Sequence, residues 1–224
     1  SNCHIFFESN FHIANTIIEK KKTDKINLVW EGRAENISSF IQFNKAFNML
    51  SKKLDINLHI ITDLEYPVFS GLFYRSTKKK LKRIFKNNFS FNTVVTNSKI
   101  FLYQWNKETV SSIIKSCDIA IIPMNIQNKF LYGKSMNKLI VFWRNKIPTI
   151  CSGVSSYKRI SDETNLDICC DSPQDWVDKI TNLSINQHYY RKHQETISKY
   201  VEDNYSKGSF ISQWDAIIGS IIND

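Results

Sequence analysis

Six short apolar runs, separated by stretches of helical pattern, constrain this sequence more than any other feature. They are Ile26 to Trp30 (INLVW), Ile56 to Ile61 (INLHII), Lys99 to Trp105 (KIFLYQW), Asp118 to Pro123 (DIAIIP), Pro148 to Cys151 (PTIC) and Leu166 to Cys170 (LDICC). Runs this short, nearly continuous in apolar character and bounded by turn residues, read as strands buried on both faces. A further candidate, FNTVVT, lies at 91–96. Between the runs, apolar residues recur at helical spacing: Phe40, Ile41, Phe43, Phe47 and Leu50; then Val110, Ile113 and Ile114; then Met136, Leu139, Ile140, Phe142 and Trp143. Strands alternating with helices through short loops predict an α/β fold, a parallel sheet with helices on both faces.

The punctuation supports that order. Glu31-Gly32 stops the first run, and Asn36 or Ser38 is expected to cap the helix that follows. The segment 63–76 has no regular pattern. Lys78, Lys79, Lys80, Lys82, Arg83 and Lys86 surround Leu81, Ile84 and Phe85, which predicts a short helix with a basic outer face. Ser172-Pro173 supplies an N-cap and a first-turn proline. Residues 1–25 read as a charged lead-in, 26–183 as a Rossmann-like domain, and 184–224 as a helical tail packing on that domain.

Composition narrows the partners. A formal charge of +9 and a pI near 9.2 favour phosphorylated or polyanionic ligands, or an anionic membrane surface. Cys3, Cys117, Cys151, Cys169 and Cys170 have no metal-like spacing and read as reduced thiols, and His188 and His193 do not share a helical face. No metal is expected. No apolar segment reaches the roughly 18 residues needed to span a bilayer, and the start does not read as a signal peptide, so a cytoplasmic location is expected.

In an open α/β sheet ligands bind outside the carboxyl ends of the strands. Those ends carry Gly32-Arg33, Asp63, Trp105-Asn106, Met124-Asn125, Ser152-Gly153 and Asp171. Gly32 permits close backbone approach, Arg33 can clamp a phosphate, and Lys134-Ser135 adds a cation and a hydroxyl at an expected helix start. This set suits a diphosphate. Each residue has a plainer role: Gly32 as a turn, Arg33 paired with Glu31 or Glu35, Ser135 as a cap, Lys134 solvated, Asn137 on a helix surface. Their convergence on one edge favours the site. Gly133-Lys134-Ser135 is not a Walker A ending, because Asn128 stands where the motif's first glycine belongs. There is no G-x-S-x-G elbow and no evident acid/base pair, so no catalytic residue is assigned.

The segments LVWEGRAEN, CDIAIIPM and GKSMNKLIVFWRNKIPTICSGVSSYKRI, with YVEDNYS and Trp214 in the last helices, resemble the carboxyl-terminal half of GT-B glycosyltransferases of bacterial surface-polysaccharide assembly. The resemblance covers about residues 26–218 and is weakest in the middle third. It implies one Rossmann-like half of a GT-B fold with C-terminal helices, binding a nucleotide-diphosphate sugar as donor. By position, Gly32 and Arg33 correspond to first-loop phosphate contacts, Lys134, Ser135, Asn137 and Lys138 to diphosphate and sugar contacts, and Ser155, Ser156 and Tyr157 to a neighbouring loop.

Two departures matter. Lys129 and Asn137 stand where the large retaining group has a pair of glutamates, and no lysine follows the Gly-Arg pair near Ser38. The resemblance further implies a glycan or lipid-linked acceptor, a separate N-terminal acceptor-binding domain, no metal cofactor, no nucleic-acid partner, and peripheral contact with the inner face of the membrane. The lipopolysaccharide or capsule pathway and a lack of transferase activity in this half alone are expected. Two other readings stay open: a nucleotide-sugar epimerase-like domain, and a non-enzymatic module using the basic face for nucleic acid or anionic lipid.

Overall fold

The computed structural model describes residues 25–85, 99–127 and 134–222. In chain order the elements are β1 (Ile26–Glu31), a 3-10 turn (Ala34–Ser39), α1 (Phe40–Ser51), β2 (Ile56–Thr62), β3 (Glu65–Val68), β4 (Phe73–Ser76) and α2 (Thr77–Ile84). Then follow β5 (Lys99–Gln104), α3 (Val110–Lys115), β6 (Ile119–Ile122), α4 (Asn137–Arg144), β7 (Thr149–Ser152), α5 (Ser155–Thr164), β8 (Cys169–Cys170), α6 (Pro173–Ile185), α7 (Gln187–Tyr205) and α8 (Lys207–Ile222). Six strands form one sheet in the order β5-β2-β1-β6-β7-β8, every neighbouring pair parallel, while β3 and β4 make a separate antiparallel hairpin. The first strand is central. The chain winds outward from it to β5, then returns past it to β6, so the winding reverses between β1 and β6.

Alternation along each strand sends side chains to two cores. Leu28, Trp30, Leu58, Ile60, Ile119, Ile121 and Ile150 face α1, α2 and α6; Val29, Ile61, Ala120, Ile122 and Cys151 face α3, α4, α5 and α7. Phe40, Phe43, Phe47 and Leu50 of α1 are wholly buried or nearly so. Each such burial is worth about 1.5–3 kcal/mol. Phe43 meets Trp176 of α6 edge to face at 4.9 Å between centroids, which fixes α1 beside α6. On the other face Trp143 packs edge to face on Tyr200 at 5.5 Å, and the Arg144 guanidinium donates to the Tyr205 carbonyl, docking α7 on α4.

The α/β reading holds: a six-stranded parallel sheet carries helices on both faces, with further helices at the C-terminal end. Several local expectations change. Neither Asn36 nor Ser38 caps α1; both lie in the 3-10 turn, whose bonds to Ile37 and Ser38 carbonyls carry the backbone into the helix at Phe40. Ile41 is turned to solvent while Phe40, Phe43 and Phe47 are buried. The irregular segment 63–76 is the β3–β4 hairpin, hidden in the sequence because most of its side chains are exposed and only Tyr66 packs on the core. Ser172 does cap α6: its hydroxyl accepts from Asp175 N at 3.2 Å and the Asp175 carboxylate accepts from Ser172 N at 2.9 Å. Residues 1–24 of the lead-in, FNTVVT, Lys86, Lys129 and Gly133 lie outside the described residues. Among the described residues no helix is long and apolar enough to cross a membrane.

Candidate functional site

The carboxyl ends of β1 and β6 diverge at the reversal of winding, and a cleft of roughly 340 Å³ opens there. Trp30 forms its floor, the 3-10 turn contributes Asn36, Ser38 and Ser39, α1 contributes Ile41 and Gln42, and Ile122 to Asn125 line the β6 side. Lys134 and Lys138 close it from α4 and the segment before it. A hydrogen bond of 2.8 Å from Gln42 Nε2 to Asn125 Oδ1 ties α1 to the loop after β6. The walls thus offer two cations, hydroxyls and amides over an aromatic floor.

Lys138 organises the cleft. Its ammonium sits 4.8 Å from the centroid of the Trp30 ring and occupies the space beside Gly32, whose missing side chain admits it; a Cβ there would overlap Nζ and lie 2.9 Å from Trp30 Cζ2. Gly32 N donates to the Ile61 carbonyl at 3.1 Å, so the backbone at this point is held by the sheet. Burial lowers the Lys138 pKa to about 8, opposed by Glu31, which favours the charged form, and assisted by Lys134, which disfavours it. A recessed cation whose charged form burial disfavours is suited to an anion that completes its neutralisation.

The residues singled out in the sequence separate into three groups. Gly32, Lys134 and Lys138 converge on the cleft, and Asn137 is the first residue of α4 at its side. Arg33 points outward, with 79% of its side chain exposed and its guanidinium 3.1 Å from Glu35 Oε1; this is the surface pairing its neighbours permit. Ser135 is exposed and does not start the helix, because buried Met136 takes the N-cap position without a side-chain cap bond. Ser155 opens α5 and is exposed, whereas Tyr157 is wholly inside the core with no partner for its hydroxyl among the described residues. Burial, and then Cys151 and Cys169, push that phenol well above its ordinary range. The structure does not bring Ser155 and Tyr157 to the cleft.

Trp30, Ser39, Ile41 and Gln42 line the cleft without having been singled out for it, and Asn125, named as a strand-end residue, joins them. The signal for Ile41 was its position on the helix, one residue after Phe40 and off the buried stripe. A second recess of roughly 310 Å³ adjoins the first through Gln42, Pro123 and Met124 and reaches Ser152, Asp171 and Trp176. Ser152 Oγ accepts from Met124 N at 2.8 Å and donates to Met124 O at 3.2 Å, fastening β7 to the loop after β6. Beyond it, Lys158 Nζ pairs with Asp171 Oδ2 at 2.9 Å across Gly153. Among the described residues no three His, Cys, Asp or Glu side chains gather as metal ligands.

No protein-family model and no curated protein matches the chain. Solved structures do. A glycosyltransferase from Rickettsia africae superposes with a TM-score of 0.64 at 15% identity, over 91% of this chain and 49% of that one. A mutant of S. aureus TarM, in complex with fondaparinux, α-GlcNAc-glycerol and UDP, matches with a TM-score of 0.58 at 13% identity, over 93% of this chain and 37% of that one. WaaG, a glycosyltransferase involved in lipopolysaccharide biosynthesis, matches with a TM-score of 0.55 at 10% identity, over 87% of this chain and 46% of that one. This chain therefore spans between 37% and 49% of the length of these structures. At such identities the likeness is one of fold, and the fold is that of one Rossmann-like half of a GT-B glycosyltransferase.

Proposed function

We propose that this chain binds a nucleotide-diphosphate sugar and forms the donor-binding part of a glycosyltransferase acting on a glycan or lipid-linked acceptor, in lipopolysaccharide or capsule assembly. The observation that carries the reading is the placement of Lys134 and Lys138 in the switch-point cleft, opposite Asn36, Ser38 and Ser39. Two cations, hydroxyls and amides face one space, a set that suits a diphosphate. The UDP in the S. aureus TarM complex supports the class of ligand, and the lipopolysaccharide role of WaaG supports the class of pathway.

In this reading Lys138 and Lys134 hold the diphosphate and stabilise the negative charge that grows on it as the sugar departs. No metal is required for that role. Asn137 and the turn hydroxyls orient the phosphate oxygens, and the adjoining recess gives the sugar end room. Arg33 reaches the phosphates by exchanging its exposed pairing with Glu35, a contact worth little in water. Ser135 sits beside the phosphates, whereas Ser155, at the start of α5, lies away from them. Tyr157 acts from within the core, setting the position of α5.

The acceptor and any general base come from a second domain. The exposed Ile211, Trp214 and Ile218, at helical spacing on α8, form an apolar stripe such a domain can cover. The complete enzyme works at the cytoplasmic face of the membrane. A thermal-shift panel of nucleoside diphosphates and nucleotide sugars tests the reading, because a ligand of the native state raises its melting temperature. A shift with at least one member, lost in Lys138→Met, is expected; no shift with any member at saturating concentration overturns it.

A further inference from the structure

The β3–β4 hairpin raises an apolar tip above the carboxyl edge of the sheet. Its register pairs Pro67 with Tyr74 and Val68 with Phe73, and the chain turns through Phe69, Ser70 and Gly71, all with positive φ (50°, 56° and 92°). A left-handed phenylalanine is disfavoured, and here that conformation sets its ring outward, 6.3 Å edge to face from Phe73. Phe69, Leu72, Phe73 and Tyr74 are each more than 60% exposed, at 69%, 77%, 63% and 66%. Four large apolar side chains at one turn make a contiguous patch of the kind that marks an interaction site.

The base of the hairpin is basic and rigid. Thr77 N and Oγ1 donate to the Leu64 and Asp63 carbonyls at 2.9 and 2.6 Å, and Leu81 and Phe85 bury the inner face of α2. Arg75, Lys78, Lys79, Lys82 and Arg83 are exposed on this unit and outnumber its exposed acids, Asp63 and Glu65. Lys80 lies 4.9 Å over the Tyr66 ring and donates to the Glu35 carbonyl at 3.3 Å, joining this unit to the turn that supplies Asn36, Ser38 and Ser39 to the cleft.

We infer that this hairpin and α2 dock the protein on an anionic membrane surface, the tip seated at the acyl boundary and the cations in the phosphate layer. Stable peripheral binding takes two signals, an apolar insertion and a polybasic patch, and both are present here on one short unit. Aromatic rings favour the bilayer interface, and Lys and Arg stems reach from it to the headgroups. A protein partner fits less well, since lysine is depleted in protein interfaces. Single-stranded nucleic acid would stack on the rings, but Leu72, the most exposed tip residue, offers no such face. Docking this way brings the cleft edge to the bilayer, whether or not the cleft binds a nucleotide.

Vesicle flotation of this chain tests the inference, with phosphatidylcholine alone and with phosphatidylcholine containing phosphatidylglycerol. Retention only on the anionic vesicles, weakening with salt, is expected. Replacing Phe69, Leu72 and Phe73 together by serine lowers that retention by about tenfold or more while the melting temperature stays unchanged, since all three are exposed. Phe73→Trp shifts its emission to the blue on binding. Equal retention of wild type and the triple variant, no retention at all, capture by single-stranded RNA without vesicle binding, or a dimer that the triple variant abolishes each overturns it.

Discussion

The ammonium of Lys138 fills the space that a side chain at position 32 would take, and the Trp30 ring lies beneath it, 4.8 Å from centroid to Nζ. Gly32→Ala therefore drives a methyl into the Lys138 terminus and toward the fixed Trp30 ring. The lysine can swing away and the indole cannot, so a modest destabilisation of about 1 kcal/mol is expected. Affinity for a nucleoside diphosphate falls more than stability does. Calorimetry beside thermal melting separates the two effects, and unchanged affinity would remove the Gly32–Lys138 contact from the site.

Removing the cation itself is the sharper test of the cleft. Lys138→Met keeps the apolar stem over Trp30 and deletes the charge, which lowers nucleoside-diphosphate affinity by about tenfold or more, the worth of a charge-assisted hydrogen bond. Lys134→Ala acts in the same direction with almost no change in melting temperature, because that side chain is only half-buried. Titration calorimetry reads both.

Affinity for the anion should also depend on pH through Lys138. Its pKa in the free protein is lowered to about 8, chiefly by burial, so the charged form that attracts a diphosphate is complete below that value and declines above it. Affinity is flat near pH 7 and falls as pH rises through about 8, until the pKa raised by the bound anion is passed. Lys138→Met flattens that arm of the profile; an identical slope in the variant would assign it to another group.

Stability on the acid side is set by His193. It is wholly buried with both ring nitrogens unpartnered among the described residues, and burial lowers its pKa from 6.5 to about 4. The neutral form is the folded form. Its contribution is present above the unfolded pKa and is lost as pH falls from about 6.5 towards 4, amounting to about 3 kcal/mol by order of magnitude. His59, lowered to about 4 by burial against the opposing Asp118 charge, adds in the same direction. Chemical denaturation across that window checks the loss, and His193→Phe or His193→Leu should reduce its steepness.

The capping box of α6 gives a purely structural prediction. Ser172→Ala removes the acceptor for Asp175 N and costs about 1 kcal/mol, or roughly 2–4 °C in melting temperature for a chain of this size. Affinity for a nucleoside diphosphate without its sugar stays unchanged, since Ser172 lines the adjoining recess and not the cleft that holds Lys134 and Lys138. Incubation of this chain with nucleotide sugars and a polysaccharide acceptor should yield no transferred sugar, while binding persists; product formation by this chain alone would refute the assignment of acceptor and base to another domain.

The sequence by itself determined the alternation of strands and helices, because runs such as DIAIIP and LDICC are apolar on both faces and only a sheet covered on both sides buries them. It also determined that Ser172-Pro173 begins a helix and that Gly32 stands at a strand end, both being local matters of backbone and cap chemistry. Tertiary structure alone decided which strand ends meet. The order β5-β2-β1-β6-β7-β8 brought the ends of β1 and β6 to one cleft and let Lys138 cross to Gly32, 106 positions apart by the difference of the two residue numbers. The same packing turned Ile41 into the cleft, sent Arg33 to the solvent and sealed Tyr157 in the core. Periodicity reports which face of an element is buried; it carries no information about what lies across that face, and a binding site is made of what lies across.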